Sequence, residues 1–432
     1  MLRLLRQRNF GLLWTAGLIS MMGDWMLFVG LPIEIYRRTG STIATAAMVV
    51  AELVPAIALG SIAGVFVDRW DRRRLMVVVN LLLAASLLPL LAVDALGIWV
   101  AYVVLIAASC LAQLFEPAEV ALLPNLLEGG EDDLVTANAL NGVNRQLARI
   151  VGPAVGGVAV AAGGLLAVTV LDAVTFVLSA VLILGIRTSR GRAAASEAHA
   201  AQEASVEAEA LSAWARLRTE WREGLELVLR HPVLRALLVF FVITRVGEGL
   251  VGTLFVPWAT DALHTDAAGY GWILSAQAVG GLGGAAVVAR FGARVAPLRL
   301  LVAASIVFGL IDLVLFTYPA FYPVLAPALI GMVIVGVPGA AMGAAIATLQ
   351  QTQAADSHRG RVVGALIAVG AVGSLVGALV AGILGEVVPV IPLLIVQGSG
   401  YVLAGLAVAV MTRGRAARSM PPASDAELVG PG

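Results

Sequence analysis

Long apolar runs separated by short polar segments extend along almost the whole chain. Most of these runs cover about 20 residues or more, the length that an α-helix needs to cross a bilayer. Their interruption by charge, proline or glycine clusters predicts an all-α membrane protein with twelve transmembrane helices. We place these helices at 10–33, 42–67, 75–93, 97–122, 139–161, 165–186, 235–260, 269–290, 298–318, 322–348, 361–384 and 388–411.

Arginine residues fall on one side of this predicted stack. With the N-terminus in the cytoplasm, the segments before the first helix and after the second, sixth, eighth, tenth and twelfth helices carry nearly all of them. Only Arg37 and Arg38 lie clearly on the opposite, non-cytoplasmic side of the membrane. Cytoplasmic loops of membrane proteins are enriched in basic residues. The distribution therefore predicts a multi-pass protein of the plasma membrane with both termini in the cytoplasm.

The composition narrows the functional class further. Of the 432 residues, 60% are hydrophobic and 13% are charged, the net charge is zero, and all 28 basic residues are arginine. Arginine-only usage, together with abundant alanine, glycine, valine and leucine, indicates a bacterial genome of high GC content. A P-loop needs a lysine, and nucleic-acid binding favours a basic surface. We therefore expect neither a P-loop ATPase nor a nucleic-acid partner.

Few residues suit a metal site, a disulfide or covalent catalysis. Cys110 is the single cysteine, and the four histidines are scattered without the spacing of metal ligands. The sequence contains no recognisable pairing of a nucleophile with a base. We therefore expect no metal, no cofactor and no enzyme activity. Because the helices are apolar, the lipid bilayer is a predicted partner.

The predicted helices divide into two sets of six around a hydrophilic middle segment. We predict an N-terminal bundle at 1–186, a cytoplasmic linker at 187–233, a C-terminal bundle at 234–412 and a disordered tail at 413–432. Small and acidic residues begin the linker. Apolar residues at helical spacing then predict an amphipathic helix that lies on the membrane, caps the second bundle or merely joins the halves. They are Leu211, Trp214, Leu217, Trp221, Leu225 and Leu229.

A short repeat supports the division into halves. The first helix contains ISMMGDW (Ile19–Trp25), and the seventh contains ITRVGEG (Ile243–Gly249) at nearly the same depth. Two parallel six-helix repeats around a central cavity are the architecture of one large class of secondary transporters. We therefore predict two pseudo-symmetric six-helix bundles.

The segment GVFVDRWDRRR (Gly64–Arg74) concentrates charge between the second and third helices. It resembles the loop between helices 2 and 3 of the major facilitator superfamily, although Asp71 stands where that motif has glycine. The resemblance implies the major facilitator fold over roughly residues 1–412 and a breakable cytoplasmic latch at helix ends, carboxylates or anionic lipid. A topology anchor is the alternative interpretation. The implied latch residues are Gly64, Asp68, Arg69, Arg72 and Arg73.

Further segments resemble the macrolide-efflux and enterobactin-exporter branch of that superfamily. They are FEPAEVALLPNL, ANALNGVNR, REGLELVLRHPVLR and HRGRVVG. RIVGPAVGG in the fifth helix resembles the glycine–proline motif of antiporters, with ordinary close helix packing as the alternative. The motif residues are Gly152, Pro153, Gly156 and Gly157. Two features depart from the pattern: the fourth helix lacks the arginine of many drug–proton antiporters, and no clear copy of the latch follows the eighth helix.

Ionisable groups inside membrane helices are costly, so each one is a candidate for function. The resemblance implies that helices 1, 2, 4, 5, 7, 8, 10 and 11 line the cavity. For proton coupling we rank Asp24 first, Glu52 second and Glu248 third, each with a buried polar contact as the alternative. Arg245, one turn before Glu248, is placed to neutralise that acid. The polar candidates for the cavity are Arg245, Gln113, Glu116 and Gln277, whereas Asp312 on the peripheral ninth helix is expected to serve packing.

Two arginines at the cytoplasmic end of the fifth helix are expected to have a local role. Arg145 and Arg149 lie one turn apart, close in sequence to the acidic loop LEGGEDD at 127–133. We expect them to pair with that loop rather than with a substrate.

Together these patterns predict a monomeric secondary transporter that exports amphiphilic drugs or secondary metabolites in exchange for protons by alternating access. A siderophore exporter or a lysophospholipid flippase on the same fold is the alternative, and a membrane enzyme or receptor has little support. Four aromatic residues suit a hydrophobic cargo or, alternatively, packing and the lipid interface: Trp25, Phe28, Phe255 and Trp258.

Overall fold

The computed structural model describes residues 2–67, 70–127, 130–187, 219, 221–354 and 358–413. Almost all of these residues are helical, and none of them forms a strand. A short helix, Leu2–Arg6, precedes the long helical segments α1 to α12. Their bounds are α1 Arg8–Thr39, α2 Thr42–Val67, α3 Arg72–Leu87, α4 Trp99–Leu122, α5 and α6 the two parts of Gly130–Leu184, α7 Pro232–Pro257, α8 Ala267–Phe291, α9 Pro297–Thr317, α10 Leu325–Gln353, α11 Arg359–Gly385 and α12 Val390–Met411.

A break at Gly163 and Gly164 separates α5 from α6. Gly164 has φ 63° and ψ −158°, a backbone conformation that is essentially restricted to glycine. Within the described ranges, eleven segments are long and apolar enough to cross a membrane when α5 and α6 count as one. Separating them at the break gives the twelve helices that the sequence predicts, with the junction at the predicted position.

The first helix continues beyond its predicted end at residue 33. Glu34 is buried in α1, and its carboxylate accepts hydrogen bonds from Arg37 and Arg38 at 2.7 and 2.6 Å. Because both arginines lie one turn further along, they neutralise the acid within the helix. The helix therefore extends to Thr39 and includes charged residues that the hydropathy pattern excluded.

The chain forms two compact units. The first unit comprises Met1–Arg38, Val50–Ala215 and Ala267–Ser275. The second unit comprises Thr39–Val49, Arg216–Asp266 and Ala276–Gly432. Each unit thus contains one short helical segment from the other half of the sequence: the start of α8 belongs to the first unit and the start of α2 to the second.

Neighbouring helices within each unit pack through small and branched side chains. In the first unit, α3 packs against α4 and against the α5–α6 segment. In the second unit, α7 packs against α11 and α12, and α9 packs against α10 and α12. A buried cluster that includes Leu237, Phe240 and Leu366 fills the second unit.

The end of the predicted amphipathic helix is described at 221–230, and it docks on the second unit. Glu223 binds Arg361 at 3.0 Å, and Gly224 lies against the Arg361 backbone, where a Cβ would come within 2.3 Å of the carbonyl oxygen. Val228 is fully buried, whereas Trp221 and Leu229 are exposed. The buried face is therefore offset from the apolar stripe that the spacing predicted, because the glycine permits the closest approach. Leu211, Trp214 and Leu217 lie outside the described residues.

Asp133, the last acid of the segment at 127–133, has a different partner from the one predicted. Asp133 is buried and binds Arg3 at 2.7 Å, so this acid pairs with the N-terminal helix. Arg145 instead interacts electrostatically with Glu119 on α4, whose carboxylate also accepts a hydrogen bond from Asn141 at 3.3 Å. The prediction overlooked Glu119 because nearness in sequence favoured the loop.

Candidate functional site

The arginines after α2 bind the carboxyl ends of two helices in the first unit. Arg72 donates from Nη1 to the Ala121 carbonyl oxygen of α4 at 2.9 Å. Arg73 donates from Nε to the Ile183 carbonyl oxygen of α6 at 3.1 Å and also contacts the Leu184 carbonyl. The last carbonyls of a helix lack partners within the helix and carry partial negative charge. The two guanidinium groups therefore stabilise the C-terminal ends of α4 and α6. Of the other predicted latch residues, Gly64 lies in α2, and Asp68 and Arg69 lie outside the described residues.

Asp71, which replaces a glycine of the superfamily motif, caps the N-terminus of α3. Its Oδ1 accepts a hydrogen bond from the Arg74 amide at 2.8 Å. A side-chain oxygen at this position satisfies an otherwise unpaired backbone N–H group. The departure from the motif thus has a local structural role.

The glycines of the α5 motif lie where two other helices approach most closely. A Cβ on Gly152 would lie 2.5 Å from the Trp25 Cβ, and one on Gly156 would lie 2.6 Å from the Met26 Cα, both on α1. On the start of α8, Gly271 lies against the Pro153 carbonyl oxygen and the Gly157 Cα. Small side chains at these positions permit close backbone packing.

The same contacts recur in the second unit, one repeat later in the sequence. Gly377 of α11 lies against Val246 and Gly249 of α7, as Gly152 lies against Met22 and Trp25. Gly382 lies against Thr42 and Ala46 of α2, as Gly157 lies against Ala267 and Gly271 of α8. The paired residue numbers differ by 224 or 225, for example 152 and 377 or 157 and 382. The short repeat found in the sequence therefore extends through the packing of both units.

Asp24, the first-ranked coupling residue, is exposed on α1 in the first unit. It interacts electrostatically with Glu52 of α2, which is also exposed. Among the residues that the structure describes, no hydrogen-bond donor or cation binds the Asp24 carboxylate. An unpaired acid at this depth is unfavourable in contact with lipid tails, so this face of α1 is suited to water or a polar ligand.

A third acid, Asp172 of α6, lies beside Asp24, and the sequence analysis missed it. Asp172 is fully buried, and its Oδ1 packs so closely on Gly23 that a Cβ there would come within 2.2 Å. The Thr175 hydroxyl, which donates to the Asp172 backbone carbonyl oxygen at 2.7 Å, also lies 3.2 Å from Oδ1, whereas Oδ2 has no partner among the described residues. The signal was present in the sequence, because Asp172 is the one acid in the predicted sixth helix.

Glu248, the matching acid of the second unit, lies in a hydrogen-bonded cluster. Its Oε2 accepts from Arg245 Nη1 at 3.1 Å, and its Oε1 accepts from the Tyr401 hydroxyl of α12 at 2.6 Å. Arg245 lies over the Phe241 ring and packs against Gly370 and Gly373 of α11. The acid is thus neutralised on its own helix and held by a second helix.

A second buried pair lies next to this cluster. Gln397 of α12 donates from Nε2 to Asp312 Oδ2 of α9 at 2.9 Å, and both side chains are buried. Gln397 also packs against Gly247 of α7, as Asp172 packs against Gly23. Asp312 is therefore a buried acid whose carboxyl group has a hydrogen-bond donor from the neighbouring helix.

The two repeats differ in the polar groups around these acids. The first unit has Asp24, Glu52 and Asp172 at the positions where the second half has Glu248, Gln277 and Gln397. Conversely, Met21 and Phe176 stand where the second half has Arg245 and Tyr401. At these matched positions, the first half therefore has more carboxyl groups, and the second half has the side chains that bind a carboxylate.

The remaining predicted polar and aromatic residues fall into different environments. Gln113 donates to the Ser109 carbonyl oxygen of its own helix at 3.3 Å, Glu116 is exposed on α4, and Gln277 is half-buried. Trp258 is buried, stacks on Phe255 at 5.5 Å and donates to the Phe316 carbonyl oxygen, so it serves the core. Trp25 contacts the exposed Phe28 edge-to-face at 5.2 Å, and this pair flanks Asp24.

A family model described as a transmembrane secretion effector of the major facilitator superfamily matches residues 2–427. The chain belongs to this family. It is thus a multi-pass membrane transporter with the major facilitator fold, as the sequence predicted, and the family gives no indication of an enzyme.

Relatives and solved structures agree with this assignment. The transporter is 30% identical over 389 residues to the multidrug efflux pump Tap of Mycolicibacterium fortuitum, covering 87% of this chain and 88% of Tap. It is 25% identical over 182 residues to macrolide efflux protein A of Streptococcus pyogenes, covering 41% of this chain and 44% of that protein. The crystal structure of the nucleoside transporter NupG matches with a TM-score of 0.74 at 12% identity, covering 94% of this chain and all of NupG. The likeness to NupG concerns the fold alone.

Proposed function

We propose that this transporter exports amphiphilic drugs or secondary metabolites from the bacterial cytoplasm in exchange for protons. Its likeness to proteins named as multidrug and macrolide efflux pumps supports the class of cargo. The arginine distribution supports a plasma-membrane location with both termini in the cytoplasm. The transporter acts as a monomer, and rocking of residues 1–186 against 234–412 gives alternating access.

The observation that carries proton coupling is the difference between Asp24 and Glu248. Glu248 accepts hydrogen bonds from Arg245 and from the Tyr401 hydroxyl. Asp24 occupies the matching position without such partners, next to Glu52. A carboxyl group that has no fixed counter-ion and faces a second acid is suited to exchange protons during the cycle. Asp24 is therefore the principal coupling residue, and Glu248 is structural.

The surroundings of Asp24 also suit an amphiphilic cation. Phe28 lies one turn further along α1 and is 44% exposed, and Trp25 contacts its ring edge-to-face. An aromatic surface beside a carboxylate accommodates a lipophilic cation through apolar contact, cation–π attraction and charge pairing. Drug and proton then compete for the same carboxylate, which gives exchange.

The latch proposal rests on the segment between α2 and α3. The contacts of Arg72 and Arg73 with helix ends anchor this segment to the first unit. We assign the breakable contact to the two remaining latch charges, Asp68 and Arg69.

Proton flux in proteoliposomes with an internal pH dye tests the proposal. Tetraphenylphosphonium and a macrolide serve as substrates, and wild type is compared with Asp24→Asn and, as the matched control, Glu248→Gln. We expect both substrates to drive proton movement in wild type and Glu248→Gln, and at least a tenfold decrease in Asp24→Asn. Substrate binding, measured separately, should persist in wild type and Glu248→Gln, whereas in Asp24→Asn the remaining aromatic contacts should give weaker binding that protons no longer oppose.

The other outcomes are equally informative. Unchanged flux in Asp24→Asn would assign coupling to Glu52 or Glu248. Substrate transport without proton movement in wild type would reject exchange and favour a facilitator, or a flippase if only lysolipids or siderophores are transported.

A further inference from the structure

Asp172 is the strongest unexplained feature outside the residues already assigned a role. It is fully buried on α6, yet among the described residues the one donor near its carboxyl group is the Thr175 hydroxyl, which lies 3.2 Å from Oδ1 and also donates to the Asp172 backbone carbonyl oxygen at 2.7 Å. We propose that Asp172 is a second proton-carrying residue that exchanges its proton with Asp24 during transport. The inference rests on the proposed coupling at Asp24 and extends it to a pair of carboxyl groups.

The geometry around Oδ2 is the first step of the argument. This oxygen is buried and has no hydrogen-bond partner among the described residues. An ionised carboxylate without partners in the interior is strongly unfavourable, whereas a protonated carboxyl group is tolerated. Asp172 therefore holds a proton on Oδ2 in this conformation.

The second step is the position of Asp172 relative to Asp24. Gly23 has no side chain, so Asp172 Oδ1 lies directly against α1 beside the residue that precedes Asp24. Asp172 and Asp24 interact electrostatically, and Asp24 also interacts with Glu52, so three carboxyl groups influence one another. Because like charges oppose joint ionisation, the proton count of one acid depends on that of the other.

The second unit shows what a purely structural arrangement looks like at this place. Gln397, at the position matching Asp172, is a neutral amide, and it donates a hydrogen bond to Asp312. Asp312 is therefore a buried acid with a fixed donor. Asp172 has the same burial without that donor, so it retains its proton in this conformation and can pass it on only when its surroundings change during transport.

The transfer balances within the pair. The proton on Asp172 Oδ2 passes to an ionised Asp24, leaving Asp172 ionised with the Thr175 hydroxyl donating to Oδ1, while Asp24 becomes neutral. Release of that proton from Asp24 to water and return of a proton to Asp172 complete the cycle. No oxidant, reductant or other co-reactant is needed.

The test uses full-length protein in proteoliposomes with tetraphenylphosphonium as the probe. Asp172→Asn is compared with wild type and with Asp312→Asn, the matched control. Two quantities are measured over a range of pH: the exchange of labelled for unlabelled probe, which requires no net proton movement, and the probe-driven proton flux. We expect Asp172→Asn to retain exchange but to decrease proton flux at least tenfold and to flatten its pH profile. Asp312→Asn should retain both.

A second variant keeps the proposal testable if Asp172→Asn does not fold. Thr175→Val keeps the size of the side chain but removes the hydroxyl that stabilises ionised Asp172, so proton flux should slow while exchange persists. Flux and pH profile like those of wild type in either variant would overturn the role of Asp172. The proposed function would survive that result if Asp24→Asn still abolished flux, and it would fail separately if wild type showed no flux.

Discussion

At the scale of single residues, Glu386 is the clearest example of a contact between distant parts of the sequence. It follows α11, and its Oε1 accepts hydrogen bonds from the Ser41 hydroxyl at 2.7 Å and from the Ile43 amide at 3.1 Å. Thr42 donates to the same oxygen at 3.3 Å. Glu386 thus caps the first turn of α2 from the other half of the chain.

This contact predicts a specific pH dependence. The Ser41 hydroxyl and the Ile43 amide lower the pKa of Glu386 below its ordinary value of 4.5. A lowered pKa in the folded protein means that the stabilisation is present above pH 4.5 and is lost as the pH falls through the lowered pKa. The stability difference between wild type and Glu386→Gln should therefore be constant near neutrality and shrink below pH 4.5. Hydrogen exchange at the Ile43 amide measures it, and a difference that grows with acidity would contradict the assignment.

The acids show how far residue-level inference from sequence reaches. Asp24 and Glu248 were found because they interrupt apolar helices at matching positions of a repeat. Their different surroundings depend on Tyr401, which is 153 residues from Glu248. Such partners follow only from tertiary packing, and the same limit concealed the contact of Asp172 with Gly23.

At the scale of helices, the glycines of α5 determine how closely α1 packs against α5. A Cβ on Gly156 would lie 2.6 Å from the Met26 Cα and 3.0 Å from its carbonyl oxygen. These are backbone atoms, so a side-chain rotation cannot relieve the clash. Gly142 lies on the same helix with nothing near the corresponding position.

The two glycines provide a matched pair of substitutions. Gly156→Ala should destabilise the protein by about 1–3 kcal/mol, because overpacking forces the helices apart. Gly142→Ala should be neutral or stabilising by about 0.5–1 kcal/mol, because alanine favours the helix. Thermal unfolding of the detergent-solubilised protein measures both. Equal effects of the two substitutions would show that α1 and α5 do not pack as described.

Helix existence was predictable from the sequence, whereas helix ends were less so. The lengths of the apolar runs and the positions of the arginine clusters were sufficient to predict twelve membrane-spanning helices. The glycine pair marked the division between α5 and α6. The extension of α1 was missed because the pairing of Glu34 with Arg37 and Arg38 keeps charged residues in the helix. Hydropathy alone counts such residues as loop.

At the scale of the whole molecule, the repeat predicts which substitutions should convert one half toward the other. Two matching heptapeptides indicated the repeat, and the structure extends it to the contacts of α5 with α8 and of α11 with α2. What the heptapeptides did not indicate is the functional asymmetry, because it depends on single exchanges such as Phe176 for Tyr401. The second half binds Glu248 through Arg245 and Tyr401, whereas no donor among the described residues binds Asp24, the acid that we propose exchanges protons.

Phe176→Tyr tests this asymmetry directly. The new hydroxyl would stand toward Asp24 as the Tyr401 hydroxyl stands toward Glu248, and it would stabilise ionised Asp24. A hydrogen bond to a charged group contributes about 1.5–3 kcal/mol, so the midpoint of proton-coupled transport should move about 1 to 2 pH units lower. Tyr401→Phe is the reciprocal control and should leave the midpoint unchanged, because Glu248 retains Arg245. A shift in Tyr401→Phe with none in Phe176→Tyr would place coupling in the second half, since the acid that exchanges protons must be the one that responds to a new donor.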